Sequence, residues 1–124
     1  MSDTVASKGF RRGDVVLVLF PNSNLRTAKL RPALIVQADN LNTGLAQVIV
    51  AMMTSRMFRG EHPSRVTVLR GSPEGGPAGI LTDSVVMTDN LATIAEGEID
   101  QRIGFLPMAR VDQALKHTLG LAEG

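Results

Sequence analysis

Cysteine, tryptophan and tyrosine are absent from the 124-residue sequence, which has four phenylalanines. Without cysteine the chain can form no disulfide framework, no thiolate zinc site and no cysteine nucleophile, which fits a reducing compartment. So few aromatic residues argue against the broad base-stacking platform of many single-strand-binding proteins. The two histidines, His62 and His117, show no metal-ligand spacing, so we predict neither a metal nor another cofactor.

Long apolar runs are also missing. The longest, residues 15–21 and 48–53, fall far short of the roughly 20 residues that a membrane-spanning helix needs. Residues 1–10 lack the apolar core of a signal peptide, and we expect them to form a flexible leader. A single domain is then expected over residues 11–124, in a cytoplasmic protein with no membrane partner.

Charge is distributed unevenly along the chain, although the net charge is only +1. Residues 1–70 contain ten Lys/Arg and four Asp/Glu, which gives +6, whereas residues 71–124 contain three and eight, which gives −5. A basic first half favours a polyanionic partner such as nucleic acid. Ordinary solvated surface remains the alternative, because halves of a sequence need not be halves of the folded molecule.

Short segments rich in β-branched and apolar residues predict a mainly β fold. Strands are expected at residues 14–20, 33–37, 47–53, 65–69, 83–88, 92–95 and 102–106. The basic segment 21–29 and the Gly/Pro-rich segment 70–79 should be loops without regular structure. Because strands and helices do not alternate, a parallel sheet is not expected, and a small antiparallel barrel fits the pattern.

The C-terminal segment changes to a helical period. Pro107 suits a first helical turn, and Gly120 can close the helix in a left-handed conformation. Between them, apolar residues recur at spacings of three and four, at Met108, Val111, Leu115 and Leu119. We therefore predict one C-terminal helix that packs on the barrel through this stripe.

Polar residues stand where three predicted strands begin or end. Arg31, followed by Pro32, opens the second strand, Thr54 follows the third, and Asp89–Asn90 follow the fifth. Strand ends are common positions for functional groups on a rigid scaffold. The alternative is structural, since threonine, aspartate and asparagine also stabilise turns and arginine often ends strands.

Five segments occur in an order that resembles one toxin family. They are RRGDVVLV, RPALIV, VIVAMMTS, DSVVMTDNLATI, and IGFLP followed by the predicted helix, and together they extend over residues 11–120. Gly-Asp before the first strand, Arg-Pro at the second and Thr-Ser after the third are similar to the MazF/PemK toxin family, to which Kid also belongs. The resemblance rests on the order and spacing of the motifs, because each motif alone is weak.

The resemblance implies an SH3-like antiparallel β-barrel with a C-terminal α-helix, as in the MazF, PemK and CcdB toxins. It implies a homodimer that acts as a metal-independent, sequence-specific endoribonuclease (an mRNA interferase) on single-stranded RNA. Such a toxin is neutralised by a cognate antitoxin protein. Two other functions stay open for this fold: a non-catalytic toxin that inhibits DNA gyrase, and an RNA-binding regulatory module.

By position in the motifs, the resemblance assigns catalytic roles to Arg31, Thr54 and, as in some members, Asp89. Arg31 would hold the scissile phosphate through its forked donors, and Thr54 would donate to a phosphate oxygen. Asp89 would act as a base or hold the arginine in place. The residues expected to contact RNA are Asn24, Arg26, Lys29, Ser55 and Arg56.

The sequence departs from the family pattern in two places. The loop between the first two strands is NSNLRTAK, which is more basic than its counterpart in many members and has no acid. Met87 and Ala92 stand where several members have arginines near the fifth-strand aspartate. The second departure bears mostly on the role of Asp89, because one of its usual partners is missing.

Overall fold

The computed structural model describes residues 9–21, 24 and 26–122; residues 1–8 of the expected leader therefore lie outside the described residues. Within these ranges the chain forms six strands, β1 to β6, at Asp14–Pro21, Ala28–Ile35, Gln47–Thr54, Arg65–Val68, Ser84–Ala95 and Ile99–Phe105. A helical turn α1 covers Gly75–Ala78, and helix α2 covers Ala109–Leu119. Two 3₁₀ turns lie at Met57–Gly60 and Glu96–Glu98.

All strand pairs in the described part of the chain are antiparallel, and the sheet order is β4-β5-β3-β2-β1-β6. The predicted mainly β class with a C-terminal helix is confirmed, although the sheet is not strictly closed. The two end strands, β4 and β6, have no ladder between them in the described residues. Turn α1 lies against β6 instead, where Gly79 and Gly104 let the two backbones approach too closely for any side chain.

Both faces of the curled sheet are buried, because successive residues of a strand point to opposite sides. The helix-side cluster lies between the sheet and α2 and consists of Val15, Leu34, Val36, Ala51, Met53, Val66, Val68, Ala78, Ile80, Val86, Leu106, Val111 and Ala114. The inner cluster lies on the opposite face and consists of Val16, Val18, Ala33, Ile35, Val48, Val50, Met52, Val85, Met87, Ile94 and Ile99. Burial on both faces explains why β1 and β3 read as nearly continuous apolar runs.

The predicted fifth and sixth strands are one strand, and this part of the prediction was wrong. Strand β5 runs through both segments, but its pairing with β3 shifts: Ala51 lies opposite Leu91, whereas Met52 lies opposite Met87. Residues 88–90 are therefore extra residues in a bulge. Asp89 and Asn90 lie inside β5 and not after a strand, because a bulge absorbs a turn-like Asp-Asn pair without ending the strand.

Arg31 lies in the middle of β2, not at its start as predicted. The strand begins at Ala28, and Arg31 pairs with Val18 of β1. Pro32 is tolerated inside the strand because β2 pairs with β3 only from Ala33 onwards. Residues 28–32 consequently form an open edge on the β3 side, where a missing N–H is acceptable.

Helix α2 confirms the C-terminal prediction, with shifted ends. It begins at Ala109, so Pro107 precedes the first turn, and Gly120 closes it with φ of 70°. Val111 is buried as expected, but Leu119 is 54% exposed, and Ala114 contributes to the core in its place. Segment 70–79 is not entirely irregular, since it contains α1.

None of the helices in the described ranges has the length and apolar character needed to span a bilayer.

Candidate functional site

A cleft of about 390 Å³ opens where the C-terminal end of β3 meets the middle of β2 and the bulge of β5. Its polar lining consists of Arg31, Thr54, Arg56, Arg59 and Asn90. Its apolar lining consists of Phe20, Met52, Met53, Met87 and Ala92. The cleft therefore combines cationic and hydroxyl donors with apolar walls, which suits a ligand that carries both phosphates and flat bases.

Strand geometry brings the two main predicted residues together. Arg31 alternates with Ala33 and Ile35 along β2, so it lies on the same face as the inner cluster but beyond its edge, where it is exposed. Thr54 is the last residue of β3, and its Oγ1 accepts a hydrogen bond of 3.2 Å from the backbone N–H of Arg56. Both side chains consequently face one cleft from neighbouring strands.

Among the described residues, the arginines of the cleft lack the carboxylate partner that four other arginines have. Elsewhere in the described chain, ion pairs join arginine to carboxylate at Arg12–Asp112, Arg65–Asp89, Arg102–Asp14 and Arg110–Glu74. Arg31, Arg56 and Arg59 have no carboxylate partner among the described residues. Three guanidinium groups around one opening repel each other, and a bound anion would relieve this repulsion.

Arg59 was missed by the sequence reasoning. It lies in the turn Met57–Gly60, and its NH1 is 3.9 Å from Sδ of Met87. In a 3₁₀ turn, residues three apart lie on the same side, so the spacing of Arg56 and Arg59 was a usable signal. Asn90 was also missed as a lining residue, because its position depends on the bulge in β5.

Asp89 does not line the cleft. Its Oδ1 accepts from Nε of Arg65 at 2.9 Å, and its Oδ2 accepts from NH2 of Arg65 at 2.7 Å. These hydrogen bonds to Arg65 lower the pKa of the Asp89 carboxyl. The same pairing raises the pKa of Arg65. The predicted catalytic role of Asp89 stays a prediction, but the structure places a different neighbour, Asn90, in the cleft.

The residues predicted to contact RNA are divided between the cleft and its surroundings. Arg56 lines the cleft, and Ser55 is exposed beside it. Lys29 lies opposite the cleft residue Phe20 in the β1–β2 ladder. Asn24 and Arg26 are exposed in the β1–β2 connection, where Oδ1 of Asn24 accepts from the backbone N–H of Arg26 at 2.9 Å.

A second cavity, of about 250 Å³, lies at the other end of β3. Its lining includes Phe10, Asn42, Gln47 at the start of β3, and Glu96. Glu96 is only 8% exposed, and its Oε1 has no hydrogen-bond partner among the described residues. No group of three His, Asp or Glu side chains in the described ranges is arranged to hold a metal ion.

Comparison with solved structures supports the fold. An endoribonuclease from a mycobacterial species, in complex with its cognate antitoxin, is 25% identical with a TM-score of 0.71, over 94% of this chain and all of that one. MazF of a MazE–MazF complex from Deinococcus radiodurans is 18% identical with a TM-score of 0.70. The match covers 94% of this chain and 100% of the Deinococcus chain. The Mycobacterium tuberculosis toxin MazF-mt6 is 22% identical with a TM-score of 0.64. The match covers 87% of this chain and 99% of the toxin chain.

Comparison with protein families identifies the chain more directly. Residues 11–119 match the model of the PemK-like, MazF-like toxins. The matched range contains every strand of the sheet, all of α2 and all the polar residues that line the cleft. The chain therefore belongs to the family of PemK-like, MazF-like toxins of type II toxin–antitoxin systems.

Proposed function

We propose that this protein is a metal-independent, sequence-specific endoribonuclease that cleaves single-stranded RNA as the toxin of a toxin–antitoxin pair. The observation that carries the proposal is the cleft beside the hydroxyl of Thr54, where Arg31, Arg56 and Arg59 have no carboxylate partner in the part of the chain that the structure describes. The mycobacterial structure, whose protein is named an endoribonuclease, supports the same activity. Its substrate would be cellular RNA, which places the reaction in the cytoplasm.

The proposed chemistry uses the substrate's own 2′-hydroxyl as nucleophile. The 2′-oxygen loses its proton and bonds to phosphorus, the bond from phosphorus to the 5′-oxygen breaks, and that oxygen gains a proton. The products are a 2′,3′-cyclic phosphate and a 5′-hydroxyl. Negative charge grows on the non-bridging oxygens in the transition state, so catalysis requires donors fixed at those oxygens.

The side chains of the cleft match this requirement. Arg31 presents a planar fork that can donate to two phosphate oxygens at once, and it extends from the middle of a paired strand. A rigid strand limits the reorganisation that is needed when charge develops. Thr54 adds a hydroxyl donor at the end of β3. Arginine is a poor general acid because its guanidinium holds its proton too strongly, so we assign Arg31 to charge stabilisation.

The apolar walls provide the surfaces for base recognition. Phe20 is partly buried against the inner cluster, and Met52 and Met87 belong to that cluster. A flat base can stack on a phenylalanine ring, and methionine adapts its shape to what it contacts. We assign the sequence preference to these walls, because contacts to phosphates carry no sequence information.

Two protein partners are part of the proposal. The mycobacterial and Deinococcus structures both contain an antitoxin, named as cognate or as MazE. An acidic antitoxin segment would neutralise the unpaired arginines and close the cleft. We also propose a homodimer: Leu19 and Leu30 face each other in the β1–β2 ladder, yet they are 43% and 41% exposed in the single chain.

The first experiment is a cleavage assay with purified protein, a long unstructured RNA and EDTA. Discrete cuts that end in 2′,3′-cyclic phosphates are expected from the wild type, and mapping of the ends gives the recognition sequence. Arg31→Ala should not cut, whereas Arg70→Ala, which removes an exposed arginine outside the cleft, should cut normally. A folded wild type that leaves the RNA intact would overturn the proposed function.

A further inference from the structure

We propose that Arg59 binds a second RNA phosphate beside the scissile one, and that Asp89 is a positioning residue that acts on Arg59 through Arg65. The inference rests on the proposed ribonuclease function and adds a subsite to it. It also gives Asp89 a role that does not require contact with the reacting atoms.

The Arg59 guanidinium has only weak partners in the described chain. Its NH1 lies 3.9 Å from Sδ of Met87, and a thioether sulfur is a weak acceptor. Its CZ lies 5.9 Å from the ring centroid of Phe58, which is itself 71% exposed. A permanent cation that is partly buried in a cleft and lacks an anion is suited to bind a phosphate.

The position of Arg59 separates it from Arg31. Arg31 projects from β2, whereas Arg59 projects from the turn that follows β3, and both line the cleft together with Thr54. Arg56, three residues before Arg59, faces the cleft from the same turn. The arginines therefore approach the cleft from two different elements, which lets them contact different phosphates of one strand.

The turn that carries Arg59 is held by Arg65. NH1 of Arg65 donates to the backbone carbonyl of Arg59 at 3.0 Å, while Nε and NH2 of the same side chain donate to Asp89. One guanidinium thus links the bulge of β5 to the turn Met57–Gly60. Asp89 fixes the orientation of Arg65, and Arg65 fixes the backbone of Arg59.

This arrangement argues against Asp89 as a general base. Each of its oxygens accepts a hydrogen bond from Arg65, and its side chain does not line the cleft. A general base must lie within hydrogen-bonding reach of the proton that it removes, directly or through one water. The geometry instead gives Asp89 a means to affect the cleft through two intervening contacts.

Binding is tested with an RNA analogue that has hydrogen in place of the reacting 2′-hydroxyl, so that no cleavage occurs. Arg59→Ala should raise its Kd by about tenfold, as expected for one lost charge-assisted contact. The slope of log Kd against log salt should fall by about 0.7, the value for one phosphate of a single strand. Arg59→Lys should recover the salt slope, and Arg70→Ala should match the wild type in both.

A chemical test locates the phosphate. Analogues with one neutral methylphosphonate, placed in turn on each side of the scissile position, should show one site at which Arg59→Ala causes no further loss of binding. If every methylphosphonate analogue is weakened by Arg59→Ala as much as the natural backbone, Arg59 binds no particular phosphate and the inference is wrong.

The role of Asp89 is tested with a double-mutant cycle and a pH profile. Asp89→Asn should raise the Kd for RNA, and it should cause no additional loss of RNA affinity when Arg59→Ala is already present. It should leave the shape of the pH profile of kcat unchanged. Loss of the acidic limb of the kcat profile in Asp89→Asn would overturn the positioning role. Additive losses of RNA affinity in the double variant would also overturn it. These outcomes require a wild type that cuts RNA, so they are distinct from failure of the proposed function itself.

Discussion

Charged side chains of opposite sign lie near the two ends of β3, and the comparison shows what each kind of site does for the protein. At the C-terminal end, exposed or half-buried arginines surround an open cleft. At the N-terminal end, the buried residue Glu96 lines a smaller cavity, and its Oε1 has no hydrogen-bond partner among the described residues. Water solvates the first set at little cost, whereas an unsatisfied buried carboxylate destabilises the fold. Changes in the cleft should therefore alter activity, and changes at Glu96 should alter stability.

The largest expected effect is that of Arg31→Ala. Loss of the donor fork at the developing charge should lower the cleavage rate at saturating enzyme by about 10²-fold to 10³-fold. Its midpoint of urea unfolding should stay near that of the wild type, because Arg31 has no ion pair in the described structure to lose. A variant that cuts at the wild-type rate would remove Arg31 from the site.

The next effect distinguishes the hydroxyl of Thr54 from its methyl group. Thr54→Ala should slow cleavage about tenfold or more, because one donor to the phosphate is lost. Thr54→Ser keeps the hydroxyl and should retain most of the rate. Equal rates for the serine and alanine variants in single-turnover cleavage would show that the hydroxyl has no role in the chemistry.

A smaller effect concerns the Arg65–Asp89 pair and pH. Because Arg65 lowers the pKa of Asp89 below its unfolded value of 3.8, the pair stabilises the folded state above about pH 4. That contribution is lost as the pH falls through the lowered pKa. The difference in free energy of unfolding between wild type and Asp89→Asn should therefore be largest at pH 7 and should decrease below pH 4.

Urea unfolding at several pH values measures this difference. Arg65→Gln, which removes the other partner, should show the same narrowing. The side chain of Asp89 is 35% exposed, so solvent screening keeps the effect modest. A difference that stays constant from pH 7 to pH 3 would contradict the coupling.

The smallest effect is expected at the other end of β3. Glu96→Gln should raise the free energy of unfolding by about 1 kcal/mol, because a neutral amide costs less than a carboxylate at a site where one buried oxygen has no hydrogen-bond partner among the described residues. Its RNA cleavage should match that of the wild type. A loss of stability in urea unfolding would show that the Glu96 carboxylate has a favourable partner, and Glu96 would then not be a source of instability.

The sequence predicted the elements whose pattern is local. Strands β1 and β3 are continuous apolar runs within one residue of their predicted bounds, and the helical stripe with Gly120 gave the C-terminal helix. Arg31 and Thr54 were found through motif order, and the structure brings both to one cleft. The sequence was sufficient to predict these elements because apolar periodicity and helix capping depend on residues that are close in sequence.

Other features depended on pairing between distant residues. Pro32 suggested that a strand begins there, but β2 continues through it because β3 leaves that edge open. Asp89 and Asn90 resemble a turn, yet the register shift against Ala51 and Met52 keeps them within β5. The hydrogen bonds from Arg65 to the Arg59 carbonyl and to Asp89 have no sequence signature. They join strand β4 to a turn and to the bulge of β5.

The amino-acid sequence by itself determined the fold class, the family pattern and the two residues that the motifs mark most clearly. Only the tertiary structure decided which cations share a cleft, which carboxylate lies outside it, and where a buried carboxylate oxygen has no hydrogen-bond partner among the described residues. The physical reason is that apolar periodicity is encoded along the chain, whereas the partner of a charged side chain is set by strand register and by the bulge that shifts it.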